Sequence, residues 1–164
     1  MKQEQSWMLS RAETDECILQ PKIPVGAIPD WQPKPSDPRR TVRRNFAVRF
    51  KDKPTVGCTM AYSAHGFGEM PQSYAAAFIL NQQRIRGIDY TPVRNMHLFR
   101  EKEVRNAGWH ENIRYFNESI QDFTNDHTAY TELSGFNPQT LEELFQFSCA
   151  RWNIEIPETE RRLL

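Results

Sequence analysis

Residues 73–90 read SYAAAFILNQQRIRGIDY, and this stretch decides the fold class. A compact apolar run is followed by the polar turn NQQ and then by RIRGIDY, in which Ile85 and Ile88 flank Gly87. Apolar runs of this length on either side of a short polar turn are typical of a β-hairpin. The three alanines of the first run leave a short helix as the alternative. We expect the hairpin to belong to a mostly antiparallel sheet.

Alternation of apolar and polar residues predicts strands on both sides of this hairpin. TVRRNFAVRF carries the pattern before it, WHENIRYF carries it after, and TVGCTMAY matches more weakly. These three segments are residues 41–50, 109–116 and 55–62. Residues 117–137 are polar and irregular, so no strand is predicted there. The whole pattern predicts a small, mostly antiparallel sheet.

One amphipathic helix is predicted after the last of these strands. Asn137 is a good N-cap and Pro138 suits the first helical position. Glu142 and Glu143 would then lie near the positive end of the helix dipole. The residues expected to face the core are Leu141, Leu144, Phe145, Ser148 or Cys149, and Trp152. The helix is expected to end near Asn153 and to pack on the sheet, which gives an α+β fold.

Residues 1–40 differ in composition from the rest of the chain. Residues 1–20 carry a weak helical pattern, and residues 21–38 contain six prolines, which favour extended backbone. The apolar residues of this region are expected to bind a protein partner or to lie on the domain's own surface. They are Ile23, Val25, Ile28 and Trp31. The predicted organisation is an arm over 1–40, a single α+β domain over 41–157 and a loose tail over 158–164.

Composition limits the classes of function. The 164 residues include 21 basic and 21 acidic residues, so nucleic-acid binding would require local clustering of charge. No apolar run approaches the ~20 residues that span a bilayer. The first residues lack the apolar segment of a secretory signal, so a cytoplasmic protein without membrane contact is expected. The three cysteines are far apart and are expected to be reduced thiols.

Several residues are candidates for proton transfer, although the common catalytic and cofactor motifs are missing and no cofactor or metal is predicted. His97 and His110 flank a basic loop, and imidazole both takes and gives protons near neutral pH. Asp89 ends a predicted strand, where it would orient a histidine or cap the following turn. Arg86 or Arg100 would stabilise a charged transition state. The alternative for each histidine is an ordinary polar residue of the surface.

A second set of residues suits contact with nucleic acid. Guanidinium groups bind phosphate in a bidentate manner, and aromatic rings stack on bases of single-stranded RNA. The candidates are Arg39, Arg40, Arg43, Arg44, Arg100 and Trp109. Glutamates are interleaved with several of them, so the alternative is a solvated surface with internal salt bridges.

Four short segments resemble the TumE-like toxins of bacterial toxin–antitoxin pairs. The segments are RIRGIDY (84–90), RNMH (94–97), GWHEN (108–112) and TLEELFQFSCARWNI (140–154), within residues 78–154. The resemblance implies a prokaryotic α+β domain that acts on RNA, with an antitoxin partner and a site at Asp89, His97 and His110. Asn112 stands where the family tends to have a second histidine, which leaves one catalytic role vacant or moved to His97.

Two functions follow from these patterns. The first is a non-enzymatic interaction module or subunit of a complex, which binds a protein partner through the arm and nucleic acid through its arginines. The alternative is a small ribonuclease that uses His97 and His110 as base and acid together with Asp89, or, in a metal-dependent form, as ligands. The neutral net charge and the absence of a dense motif favour the first.

Overall fold

A computed structural model describes residues 9–53, 57–66, 73–91, 108–115, 127–133 and 135–158. The helices are α1, Arg11–Leu19, and α2, Leu141–Arg151. The strands are β1, Lys22–Pro24; β2, Gln32–Lys34; β3, Asp37–Phe50; β4, Gly57–His65; β5, Ser73–Leu80; β6, Gln83–Thr91; β7, Gly108–Tyr115; and β8, His127–Glu132. This arrangement confirms the predicted α+β fold, a mostly antiparallel sheet with a late helix packed on it.

The eight strands form one sheet in the order β1-β3-β4-β5-β6-β7-β8. Each named strand pair is antiparallel, and β2 joins the sheet beside the first half of β3. The predicted hairpin of β5 and β6 lies in the middle. Strand β8 was not predicted from the sequence, because its residues HTAYTE lack the apolar alternation that marks a half-buried strand.

The two helices lie on one side of the sheet, which we call the inner face. Phe145 of α2 packs against Phe46 and Tyr62, and Trp152 packs against Phe78. Alternate residues of β3, β4 and β5 are buried on this face, as the period of a strand requires. The other side is the outer face, where β4 and β5 carry mainly small side chains.

The β5–β6 hairpin turns through Asn81 and Gln82, which have φ angles of 50° and 63°. Leu80 and Gln83 are paired on either side, so the loop has two residues. Positive φ at both central positions is the signature of a type I′ turn, whose twist matches that of the flanking strands. The polar turn predicted at NQQ is therefore found, with a non-glycine residue at each strained position.

Both helices have side-chain caps at their first turn. Thr140 caps α2 by accepting a hydrogen bond from Glu143 N at 3.1 Å, so the predicted start at Asn137 was wrong. At the start of α1, Ser10 and Glu13 form a capping box, with bonds of 3.2 Å and 2.7 Å. None of the described helices is long and apolar enough to span a membrane.

The proline-rich arm belongs to the same sheet. Strand β1 pairs with the second half of β3, and β2 pairs with its first half, which begins at Asp37. Proline is tolerated at such edge positions because it removes one ladder donor at most. The described start of β3 therefore lies before the predicted boundary at residue 41.

Lys22 joins the arm to the ends of both helices. Its buried ammonium donates to the carbonyl oxygens of Ile18 and Gln20, at 3.0 and 2.7 Å, and of Trp152, at 2.7 Å. These carbonyls belong to the C-terminal ends of α1 and α2, where a cation is favoured by the helix dipole. Desolvation by burial nevertheless lowers the pKa of Lys22 to about 8.

Candidate functional site

Asp89 and His110 face each other across the β6–β7 pair. The register makes them Cα partners, so both side chains project from the outer face of the sheet. The same register places His110 opposite Glu132 of β8. Two of the predicted catalytic residues are thus brought together on one face, and the histidine stands between two carboxyl residues.

A β-bulge brings Arg84 to the same face. Phe78 pairs with Arg86 while Ile79 pairs with Arg84, so one residue of β6 is extra at this point. Because an extra residue reverses the faces beyond it, Arg84 joins Asp89 on the outer side although simple alternation would put it with Arg86. Arg84 Nη2 donates to Asp89 Oδ2 at 2.6 Å.

Gly87 makes this reach possible, since the guanidinium of Arg84 lies over its Cα. A Cβ atom at residue 87 would overlap the guanidinium group. Asn112, the register partner of Gly87, also donates through Nδ2 to Asp89 Oδ2. One carboxylate oxygen of Asp89 therefore accepts two hydrogen bonds. Neither donor side chain was predicted as a site residue.

Two polar atoms of this cluster are buried without a hydrogen-bond partner, Arg84 Nε and Asn112 Oδ1. Buried polar atoms are nearly always paired in native proteins, so each such atom has unmet bonding capacity. One is a donor and the other an acceptor. The cluster of Arg84, Asp89 and Asn112 thus has the capacity for additional polar contacts.

The ring of His110 is buried, with an exposed fraction of 5%. Its Nδ1 lies 3.2 Å from the carbonyl oxygen of Gly108, to which Nδ1–H donates. In the neutral ring this bond places the lone pair on Nε2.

The other predicted catalytic residues are not at this cluster. Arg86 lies on the inner face, buried, and forms an ion pair with Asp15 of α1. An odd number of positions separates it from Asp89, which puts two residues of a regular strand on opposite faces. His97 and Arg100 fall outside the described residues.

In the described part of the chain the side chains that could bind a metal do not cluster, and two of the three thiols are buried. No group of three or more histidine, cysteine or acidic side chains there is placed to hold a metal ion. Cys17, Cys58 and Cys149 are free. Burial raises the pKa of Cys58 to about 11 and that of Cys149 to about 12, so both remain unreactive thiols near neutral pH.

Basic side chains divide into two groups by their partners. Ion pairs neutralise Arg11, Arg44, Arg84, Arg86, Arg151 and Lys51, and Lys22 is held by carbonyl groups. Among the described side chains, those with no ion pair or hydrogen bond are Lys34, Arg39, Arg40, Arg43, Arg49 and Lys53, which we call the basic surface. All of them lie on β2 and β3 or just after β3.

Two residues predicted to contact nucleic acid are engaged inside the protein. Arg44 is buried on the inner face and pairs with Glu142 at 3.0 Å. The ring of Trp109 packs against Tyr74, Tyr90 and Phe136, with centroid distances of 5.6, 5.0 and 5.3 Å. Neither side chain is therefore part of the basic surface.

The apolar residues of the arm have different surroundings. Ile28 and Trp31 pack against the core, and Ile23 is partly buried in β1. Val25 is 52% exposed, and Leu19 at the end of α1 is 75% exposed. The two exposed side chains are the large apolar groups that the described structure leaves in water near the arm.

Lys34, in the basic surface, and Asn112, beside Asp89, were not predicted from the sequence. Asn112 lies two residues after His110, so strand periodicity alone places it on the same face. The position of Arg84 depends on the bulge, for which the sequence offers only the neighbouring Gly87 as a signal.

Comparison of the chain with protein families, with curated proteins and with solved structures finds no significant match. The resemblance to the TumE-like toxins therefore stays a prediction that rests on the four short segments. The geometry of the described residues is what supports a function.

Proposed function

We propose that the protein is a non-enzymatic interaction module that contacts nucleic acid through its basic surface. The observation that supports this most is the division of the basic side chains. Six basic side chains on and beside β2 and β3 have no ionic partner, whereas the other described basic side chains, including Arg44 on β3 and Lys51 just after it, are paired or buried. Free guanidinium and ammonium groups are the donors that phosphate oxygens require.

The basic surface concentrates positive charge in one place, although the whole chain carries no net charge. Arg43 and Arg49 share the outer face of β3. At the ordinary rise of a strand they lie roughly 20 Å apart. Arg39 and Arg40 extend the row beyond Arg43. A row of this kind follows a phosphate backbone, and such binding weakens steeply with added salt.

Binding is tested by fluorescence anisotropy of labelled DNA and RNA, titrated with the protein over a series of salt concentrations. The Arg43→Ala/Arg49→Ala variant should bind more weakly, and its plot of log affinity against log salt should flatten by about 0.9 for each lost phosphate contact. Lys51→Ala is the matched control, since Lys51 lies just after the same strand but is paired with Glu155. An affinity that does not depend on salt concentration, or that falls equally in the control variant, would contradict the proposal.

A protein partner at the arm is the second part of the same proposal. Leu19 and Val25 present exposed apolar groups beside the arm, and apolar surface is what protein partners cover. Cross-linking of the native protein in cell extract should give a defined product that the Leu19→Ser/Val25→Ser variant fails to form. An unchanged product would remove these residues from the interface.

A ribonuclease is the second candidate function, and the pairing of Asp89 with His110 favours it. The basic surface would hold the RNA, and His110 would accept a proton from the 2′-hydroxyl group. Incubation with RNA and with DNA of equal length, with and without EDTA, tests this alternative. Cleavage of RNA that disappears in His110→Ala would establish the enzyme. Intact RNA in every reaction would favour the interaction module instead.

A further inference from the structure

We propose that Arg86 binds a phosphate group on the inner face of the sheet, and that helix α1 covers this site with Asp15 in the place of the ligand. The inference goes beyond the proposed binding of nucleic acid. Arg86 is buried under a helix, whereas Arg43 and Arg49 lie on the opposite face of the sheet. The two kinds of binding can therefore be removed separately.

The guanidinium of Arg86 is buried with much of its hydrogen-bonding capacity unmet. Its side chain is 5% exposed, and Nη2 donates to Asp15. Nε and Nη1 have no hydrogen-bond partner, and these two nitrogens carry more than half of the N–H donors of the group. A buried charge is costly unless it is both paired and hydrogen-bonded. A ligand that supplies oxygen acceptors would remove that cost.

The neighbours of Arg86 on the sheet do not satisfy these donors. Its register partners on the two adjacent strands are Phe78 and Ile113, which are apolar. Glu111 lies two residues before Ile113 and is buried, but its carboxylate already accepts two hydrogen bonds from the end of helix α2. An anion at Arg86 would therefore lie in surroundings of low polarity, where the attraction between charges is strong.

Asp15 indicates the charge that suits this position. Its carboxylate pairs with Arg86, and Arg11 Nε donates to both of its oxygens at 3.4 Å. One carboxylate thus stands between two guanidinium groups. A phosphate group near pH 7 carries about −1.5 to −2 elementary charges and three acceptor oxygens, and arginine binds it in a bidentate manner. Phosphate therefore matches two guanidinium groups better than a carboxylate does.

Helix α1 is anchored to the rest of the protein at its C-terminal end. Lys22 and Asn153 donate to the carbonyl oxygens of residues 18–20. The buried side chains of the helix are Thr14 and Ile18, and the hydroxyl of Thr14 bonds back to the helix itself. The first turn is exposed. A helix held by one buried apolar side chain and fixed at one end is suited to lift from the sheet at the other.

Binding is tested on the full chain by isothermal titration calorimetry with inorganic phosphate and with adenosine 5′-monophosphate, at constant ionic strength. Asp15→Asn removes the competing charge and should bind phosphate roughly tenfold more tightly than the wild type. Arg86→Met should not bind it. Glu16→Gln is the matched control and should behave as the wild type, because Glu16 lies on the same helix but bonds to Gln20.

Two comparisons of ligands define the site further. Acetate should bind to Asp15→Asn more weakly than phosphate, and equal affinity for the two anions would overturn the assignment to phosphate. Tighter binding of the nucleotide would identify a phosphate ester as the ligand, and tighter binding of phosphate would identify the free ion.

The thiol of Cys17 reports the position of α1, on which it lies half-buried. Burial raises its pKa, so it should react slowly while the helix is in place. Saturating phosphate should speed its alkylation by iodoacetamide severalfold in the wild type, as read by mass spectrometry, and should have no effect in Arg86→Met. An unchanged rate at saturation would overturn the role of α1 as a cover.

Other outcomes would overturn the site itself. Phosphate binding that persists in Arg86→Met, or that is lost in Arg43→Ala/Arg49→Ala, would assign the ligand to the basic surface. Absence of phosphate binding in both the wild type and Asp15→Asn would reject the site and leave the proposed nucleic-acid binding intact. Thermal melting should show that Arg86→Met folds, since apolar residues of similar volume can replace buried charges. Arg86→Lys is the second variant. It keeps the charge, lacks the planar fork and should weaken binding.

Discussion

Trp31 and Glu142 are joined by a hydrogen bond of 2.9 Å between the indole Nε1 and the carboxylate Oε1, across 111 positions of sequence. The same carboxylate accepts from Arg44 at 3.0 Å. The guanidinium of Arg44 lies between the rings of Trp31 and Phe145, with distances of 4.7 and 4.6 Å to their centroids. One carboxylate therefore ties the arm and strand β3 to helix α2.

Glu142→Ala should destabilise the protein strongly, because it leaves the charge of Arg44 buried without its partner. Loss of one member of such a pair costs about 3–5 kcal/mol. Trp31→Phe keeps the ring on the guanidinium and removes only the indole hydrogen bond, so about 1 kcal/mol is expected. Urea denaturation measures both. Equal, small losses would show that Arg44 is compensated by water instead.

The stability of the protein should depend on the titration of Lys22 in alkaline solution. Its pKa of about 8 in the folded protein lies below the ordinary value of 10.5, so between these values the unfolded chain binds more protons than the folded one. Stability then rises with pH across this window. We expect the free energy of unfolding of the wild type, relative to Lys22→Met, to increase by up to about 3 kcal/mol.

The comparison with Lys22→Met is essential for this measurement. Burial also raises the pKa of Cys58 and Cys149, and that effect lowers stability as pH rises. Cys149 is present in both proteins and its contribution cancels in the difference, whereas Cys58 interacts with the charge of Lys22 and its contribution is removed by measuring the pair in a Cys58→Ala background. A difference that is flat between pH 8 and 10.5 would mean that the carbonyl groups keep Lys22 charged throughout.

Gln82→Gly should stabilise the β5–β6 hairpin. Gln82 has a φ angle of 63°, and such an angle costs energy for a residue with a Cβ atom and costs glycine nothing. The change also produces Asn-Gly, the preferred pair for a type I′ turn. We expect a gain of about 0.5–1 kcal/mol after the entropy of glycine is included. Thermal and urea unfolding measure it, and a loss of stability would contradict the turn assignment.

Gly87→Ala tests the contact between Gly87 and Arg84. The new methyl group would displace the guanidinium from Asp89, at a cost of about 1 kcal/mol or less for this partly exposed ion pair. In an Arg84→Ala background the same change should be neutral or slightly stabilising, because alanine suits a strand better than glycine. A double-mutant cycle measures the coupling, and additive effects would show that the two residues do not interact.

The sheet and the late helix could be predicted because their signals are local. Val42, Phe46 and Val48 alternate along β3, and Leu144, Phe145 and Trp152 recur at helical spacing; all of them are buried. These periods follow from the geometry of single elements. Strand β8 has no such pattern, since its place in the sheet is set by pairing with β7.

The candidate site could be predicted only in part. The chemistry of Asp89 and His110 makes them candidates, but whether they meet depends on the β6–β7 register, which no local pattern determines. Arg84 lies on the outer face only because of the β-bulge in β6. The basic surface depends on which arginines find a carboxylate elsewhere in the fold, as Arg44 does with Glu142. Such pairings are formed across the chain and cannot be read from one segment.

The contacts of Lys22 also form in a fixed order while the chain is synthesised. The carbonyl of Trp152 is its last partner and belongs to the distant helix α2. Synthesis of the chain between the two residues takes on the order of ten seconds of translation. Until then the ammonium group lacks one of its three carbonyl acceptors, although Ile18 and Gln20 already supply the other two. The contact that joins the arm to helix α2 therefore forms only after that helix has been synthesised.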